Sequence, residues 1–201
     1  MLLFLTSQAS TVLDLLLPKL SKPANELMVA FIPTAADPYP EAPWVDVDRK
    51  KLIELEFTVY DVDLKGKTQQ KLRKELAKAD IIFVAGGNTF YLLEQSQKSG
   101  FADIVKELVA DGIVYIGSSA GSVLVGPSIK SVNVFDDATI ARLTSYSGLE
   151  LVDFIVLPHY NAAEKEKYEH VMQKFKDFHF IPLTNRQAIM VTDQGYTTVQ
   201  V

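Results

Sequence analysis

Short runs of wholly apolar residues alternate along this chain with longer stretches of mixed polar and apolar character. That rhythm predicts buried strands of a parallel sheet with helices packed on its faces. Leu2 to Leu5 is the first such strand, followed by a helix over Ser10 to Leu20 that sets Leu13, Leu16 and Leu17 on one face. A second strand runs from Leu27 to Pro33, and a loop with three prolines, Thr34 to Pro43, feeds a helix from Trp44 to Leu55. Phe57 to Val62 follows as a strand and Thr68 to Lys78 as a surface helix. Ile81 to Val84 is a fully apolar strand that ends in Ala85-Gly86-Gly87-Asn88, and a helix starts at Thr89 and stops at Gly100. Ala102 to Asp111 makes the next helix. Ile113 to Ile116 is again an apolar strand and leads into Gly117-Ser118-Ser119-Ala120-Gly121. Beyond Gly126-Pro127 the pattern loosens, with a strand at Phe154 to Leu157, a helix over Ala162 to Phe178 and final strands at Ala188 to Val191 and Thr197 to Val201. The 201 residues show no repeat, linker or low-complexity segment and read as one α/β domain.

Composition narrows the class. A 48% hydrophobic content with 22% charged residues is that of a globular chain. The formal charge of −5 argues against nucleic acid as a partner, because affinity for a phosphate backbone comes from clustered Lys and Arg. No cysteine is present, which removes disulfides, thiolate metal sites and a thiol nucleophile together and makes the cytoplasm the expected compartment. The apolar start is too short for a signal sequence, and no run approaches the roughly 20 residues needed to cross a bilayer, so no membrane partner is expected.

In an open α/β sheet, ligands bind beyond the carboxyl ends of the strands. The segments after Val84 and Ile116 are therefore where chemistry is sought. Gly117-Ser118-Ser119-Ala120-Gly121 matches the G-x-S-x-G elbow, in which a tight strand-to-helix turn presents a serine hydroxyl to solvent. A helix-capping turn would use the same residue types, whereas a P-loop would need a lysine that is missing here. An oxyanion hole takes one N–H from the residue after the nucleophile and a second from another strand-to-helix loop, which selects Ala120 and Gly87. Of the three histidines, His170 falls in a charged helix and faces solvent, and His179 lies between two phenylalanines as a packed residue. His159 follows an apolar strand, as the nucleophile does, and is the expected base. Spacing leaves the third member open among Asp136, Asp137, Asp153 and Glu164.

Gly86-Gly87-Asn88-Thr89-Phe90-Tyr91-Leu92-Leu93, Tyr115-Ile116-Gly117-Ser118-Ser119-Ala120-Gly121 and Leu157-Pro158-His159-Tyr160, in that order and separation, resemble the dipeptidase E (aspartyl dipeptidase) family, to which cyanophycinases are distantly related. The resemblance extends from the first strand almost to the C-terminus. It implies a three-layer fold, a mostly parallel sheet with helices on both faces similar to class I glutamine amidotransferases and flavodoxin. It also implies serine peptidase chemistry on small peptides with N-terminal aspartate, without cofactor or metal, in a monomer or homodimer. Carried over, Ser119 is the nucleophile, His159 the base, Gly87 and Ala120 the oxyanion donors, and Asn88 a substrate-holding residue. The register places Asn185 where the family pattern has a glutamate as third triad member, with Asp136 the alternative. In the helix after His159, where the family carries arginine, Lys167 is available for the substrate. Two rival readings use the same residues: a serine esterase or amidase acting on another small substrate, and a catalytically weak binding protein.

Overall fold

The computed structural model describes all 201 residues. Seven strands form the central sheet in the order β3-β2-β4-β5-β1-β8-β9. Five of them, β1 (Leu2–Thr6), β2 (Met28–Ile32), β3 (Thr58–Asp61), β4 (Ile81–Val84) and β5 (Val114–Ser118), run parallel. Two more, β8 (Gln187–Thr192) and β9 (Gly195–Gln200), extend the β1 edge in antiparallel register. A separate parallel pair is made by β6 (Phe154–Leu157) and β7 (His179–Pro182). This is a three-layer α/β fold.

Side chains alternate across a strand, so continuous apolar strands must be covered on both faces. Leu3, Leu5, Ala30, Ile32, Ile82 and Val84 belong to one core of 36 buried residues. Their neighbours Phe4, Val29, Phe31, Ile81 and Phe83 belong to a second core of 18. The larger core is closed by α3 (Gln69–Leu76), α4 (Thr89–Ser99), α5 (Phe101–Ala110), α6 (Ala120–Leu124) and α7 (Lys165–Lys174), the smaller by α1 (Ala9–Val12) and α2 (Pro43–Glu54). The prolines enter α2 productively, with Pro43 at its first position, where the missing N–H costs nothing.

Three expectations need correction. The helix read over Ser10 to Leu20 is one α turn followed by 3-10 turns at Leu13–Leu15 and Leu17–Lys19, because Pro18 lacks the N–H a continuing helix needs. Leu13 and Leu16 are still buried and Leu17 packs at the edge of the smaller core. The helix read to Phe178 starts with a 3-10 turn and ends at Lys174. Phe175, Phe178 and Phe180 pack against the larger core, and the chain continues into β7, a strand the sequence pattern did not reveal. His179, expected as a packed residue, is exposed on β7 with its ring 6.1 Å from that of Phe154.

Candidate active site

The strand order brings distant segments to one edge. The C-terminal ends of the parallel strands β1, β4 and β5 deliver Ser7, Gly86-Gly87 and Ser119. Because β8 runs antiparallel to β1, with Thr6 opposite Ala188, the residues just before β8 reach that same edge, and Asn185 lies among them. His159 follows β6, and backbone bonds between Leu183 N–H and the Leu157 carbonyl (2.9 Å) and between Tyr160 N–H and the Leu183 carbonyl (2.8 Å) fix it beside that segment.

Between β5 and α6 the chain turns at Ser119, which adopts φ 50° and ψ −109°. This is a left-handed conformation that a non-glycine residue holds only under constraint. The constraint is visible. Ser119 N–H donates to the Thr6 carbonyl (3.0 Å), and Ser122 Oγ accepts from Thr6 N–H (2.8 Å) while lying 2.7 and 2.8 Å from the carbonyls of Thr6 and Gly117. Tyr115, buried within the core, donates its hydroxyl to the Gly121 carbonyl at 2.7 Å. These ties lock the elbow to β1 and hold the Ser119 side chain half-exposed at the pocket.

Ser119 Oγ lies 2.8 Å from His159 Nε2, and His159 Nδ1 lies 2.8 Å from Asn185 Oδ1. His159 is itself left-handed, with φ 61°, and Tyr168 donates its hydroxyl to the carbonyl of the preceding Pro158 at 2.9 Å. Of the two candidates for the third position, Asn185 meets the ring. The Asp136 carboxylate instead accepts the Thr89 N–H at 2.8 Å, and burial raises its pKa, partly offset by the Thr89 hydrogen bonds and the nearby His159.

Gly87 lines the pocket in front of Ser119, and Ala120 lines a smaller recess that Ser119 and His159 also border. Neither Gly87 N–H nor Ala120 N–H donates to a backbone acceptor, and a Cβ on the adjacent Gly86 would come within 3.2 Å of Ser119 Cβ. Gly87 has φ 151°, and a Cβ there would fall 2.1 Å from the Ala35 carbonyl oxygen, so only glycine lets this loop pass so close. Asn88 is fully buried. It caps α4 by accepting from Tyr91 N–H (2.8 Å) and donates to the Asp137 carbonyl (2.9 Å), so both ends of its carboxamide are engaged within the protein. Lys167 lines the pocket with its ammonium 4.5 Å over the Phe135 ring and 4.0 Å from Glu164 Oε1.

The cavity in front of Ser119 has a volume of about 550 Å³. Tyr39 and Trp44 stack edge-to-face on one side of it, and Trp44 Nε1 is anchored on the Gly86 carbonyl at 3.0 Å. Asp48 also lines this cavity. Its carboxylate accepts the Ser10 N–H at 2.9 Å, supplying from α2 the cap that Gln8 does not give α1. Burial raises the Asp48 pKa against the opposing hydrogen bonds of Ser118 and Ser10. The folded protein therefore binds this proton more tightly than the unfolded chain, and its ionisation costs stability as pH rises from about 4 through the raised value. Asp48→Asn should flatten that loss between acid and neutral pH in urea unfolding. Asp48→Ala should cost about 1 kcal/mol at acid pH because the Ser10 N–H loses its acceptor, and less as pH rises because it too lacks the titrating carboxyl. Equal pH dependence in Asp48→Asn and the unmodified chain would refute this.

Two residues escaped the sequence reading. Ser7, buried at the end of β1, accepts from His159 N–H (2.7 Å) and donates to Asn185 Oδ1 (2.8 Å). Asp48 was the other. Only a polar residue just past a buried strand hinted at Ser7, and nothing in the helical pattern of α2 marked Asp48.

Serine, imidazole and carboxamide in line at the strand ends of a three-layer α/β fold form an arrangement that can activate a serine hydroxyl, as serine-type hydrolases do. Residues 3–199 match the model of peptidase family S51. The chain belongs to that family. It is 35% identical over 199 residues to an uncharacterized peptidase of Listeria innocua, covering 98% of this chain and 95% of the relative. A Drosophila melanogaster protein, provisionally named an alpha-aspartyl dipeptidase, is 33% identical over 187 residues, with 89% and 74% of the two chains covered. A crystal structure from Listeria monocytogenes EGD-e, provisionally described as a peptidase E protein, superposes with a TM-score of 0.91 at 33% identity, covering 100% of this chain and 98% of that one. No helix is long and apolar enough to cross a membrane.

Proposed function

We propose that this chain hydrolyses small peptides by acyl transfer through Ser119, with His159 as base and Asn185 orienting the imidazole. The observation that carries the reading is the 2.8 Å approach of Ser119 Oγ to His159 Nε2, continued at 2.8 Å from Nδ1 to Asn185. In this mechanism Nε2 takes the hydroxyl proton as Oγ attacks the scissile carbonyl, and Nδ1–H remains on the Asn185 oxygen. The N–H groups of Gly87 and Ala120 receive the oxyanion. His159 then gives its proton to the leaving amine, and the C–N bond breaks to leave an ester on Ser119. Water, deprotonated by the same imidazole, cleaves that ester and restores the hydroxyl.

Peptides with N-terminal aspartate, the substrates named for the Drosophila relative, fit a pocket in which Lys167 is the cation available to their side chain. A neutral asparagine stabilises an imidazolium less than a carboxylate does, which favours slower turnover than an aspartate or glutamate triad would give. Incubation with a fluorophosphonate is expected to label the unmodified chain at Ser119 and leave Ser119→Ala unlabelled, with Asp-X dipeptide hydrolysis lost in the same variant. Undiminished hydrolysis by Ser119→Ala would overturn the assignment. Ester cleavage without any dipeptide cleavage would replace the peptidase by an esterase.

A further inference from the structure

An imidazole that accepts the Ser119 proton at Nε2 must carry its own proton on Nδ1. A carboxylate enforces that tautomer unaided, since both of its oxygens only accept. A carboxamide does not, because it has a donor end as well. Turned by 180°, Asn185 would aim an N–H at His159 Nδ1, drive the ring proton to Nε2 and point it at the Ser119 hydroxyl, where no base would remain. Whatever holds the Asn185 oxygen toward the ring therefore decides whether the site can work.

Ser7 is placed to do this. Its Oγ accepts the His159 backbone N–H at 2.7 Å, so its own hydrogen is directed elsewhere, and Asn185 Oδ1 lies in its path at 2.8 Å. The second neighbour, His159 Nδ1, is more distant at 3.3 Å and is already committed to Asn185 Oδ1. Ser7 is only 1% exposed, so bulk water is not at hand to take over its proton. Turning the amide would set an N–H against that hydroxyl hydrogen and leave a buried donor unsatisfied, a costly arrangement. We infer that Ser7 is a positioning residue that orients the Asn185 carboxamide and thereby selects the Nδ1–H tautomer of His159. A neutral hydroxyl and a neutral amide together select here the tautomer that one carboxylate selects in an acidic triad. The inference rests on the Ser119 and His159 reading above and assigns Ser7 no contact with substrate.

The test uses the full chain labelled with 15N-histidine, the His159 ring signals being identified by their loss in His159→Gln. Long-range proton–nitrogen correlation separates the two tautomers directly. The unmodified protein should show Nδ1–H. In Ser7→Ala the Nε2–H form should appear and kcat should fall roughly 10- to 100-fold with KM nearly unchanged, less than the ~10⁴-fold loss seen when a serine protease triad is fixed in the wrong tautomer. Ser7→Ala/Asn185→Asp should recover the Nδ1–H signal and most of kcat, because a carboxylate has no donor end to misplace. Ser7→Cys, which keeps the connectivity of the serine side chain but is a weaker donor, should show the same changes at smaller amplitude and serves if Ser7→Ala does not fold. An unchanged tautomer in either single variant, or a double variant as slow as Ser7→Ala, would overturn the inference. Hydrolysis surviving in Ser119→Ala would instead remove the catalytic reading beneath it, and the spectra would still report the tautomer.

Discussion

Alanine at either Ser119 or His159 is expected to lower kcat for a dipeptide by about 10⁴- to 10⁶-fold, and alanine at both to cost no more than the larger single loss. The reason is geometric. The two side chains share one hydrogen bond of 2.8 Å, and the proton that leaves Ser119 has His159 Nε2 as its acceptor. Without the imidazole the hydroxyl stays protonated at its ordinary pKa, and without the hydroxyl the imidazole has nothing to activate. Whatever rate survives would come from binding and the N–H groups of Gly87 and Ala120, which neither substitution touches. Steady-state kinetics on the two single variants and the double variant decide the matter. Losses that multiply would mean that the residues act independently and that the shared proton transfer is wrong.

The second large effect falls on stability. Gly121→Ala should destabilise the protein by about 3 kcal/mol or more, equivalent to roughly 6–12 °C in Tm. A Cβ at this position would lie 2.2 Å from the Val84 carbonyl oxygen and 2.9 Å from its carbon. Both are backbone atoms of a central strand, so no change of rotamer relieves the clash. A second close approach lies beside it, where a Cβ on Gly117 would meet the Gly121 carbonyl at 2.7 Å. Gly66→Ala is the control. Its φ of 68° is also left-handed, but nothing lies within 4 Å of the added methyl, so the cost should be the conformational ~1–2 kcal/mol alone. Thermal unfolding showing equal losses for the two variants would contradict the packing argument.

The elbow was legible in sequence because all its requirements are local: an apolar strand, small residues on both sides of Ser119, and a helix immediately after. His159 could be read for a similar reason, standing directly after Phe154 to Leu157. The family register supplied Asn185. Ser7 was invisible to any such reading. Its partners lie 152 and 178 residues away, and they meet only because β8 turns back antiparallel alongside β1. Helix limits failed where tertiary packing outweighed periodicity. Phe175, Phe178 and Phe180 carry enough apolar surface to continue an amphipathic pattern, yet the chain buries them better by entering β7 beside β6. Asp48 shows the converse, a charged residue on a helix that looks solvent-facing in sequence but is only 3% exposed because it caps α1 across the pocket.

The dimensions of the cavity reach beyond the chemistry. A space of about 550 Å³ is, as a cube, about 8 Å on edge, and an extended chain advances about 3.3 Å per residue. Two extended residues span that edge, with Tyr39 and Trp44 forming a wall at its side. A bond in the middle of a folded domain cannot be delivered to Ser119 without first being freed from its surroundings. A peptidase so built acts on short fragments, such as those other proteases release, and spares intact neighbours.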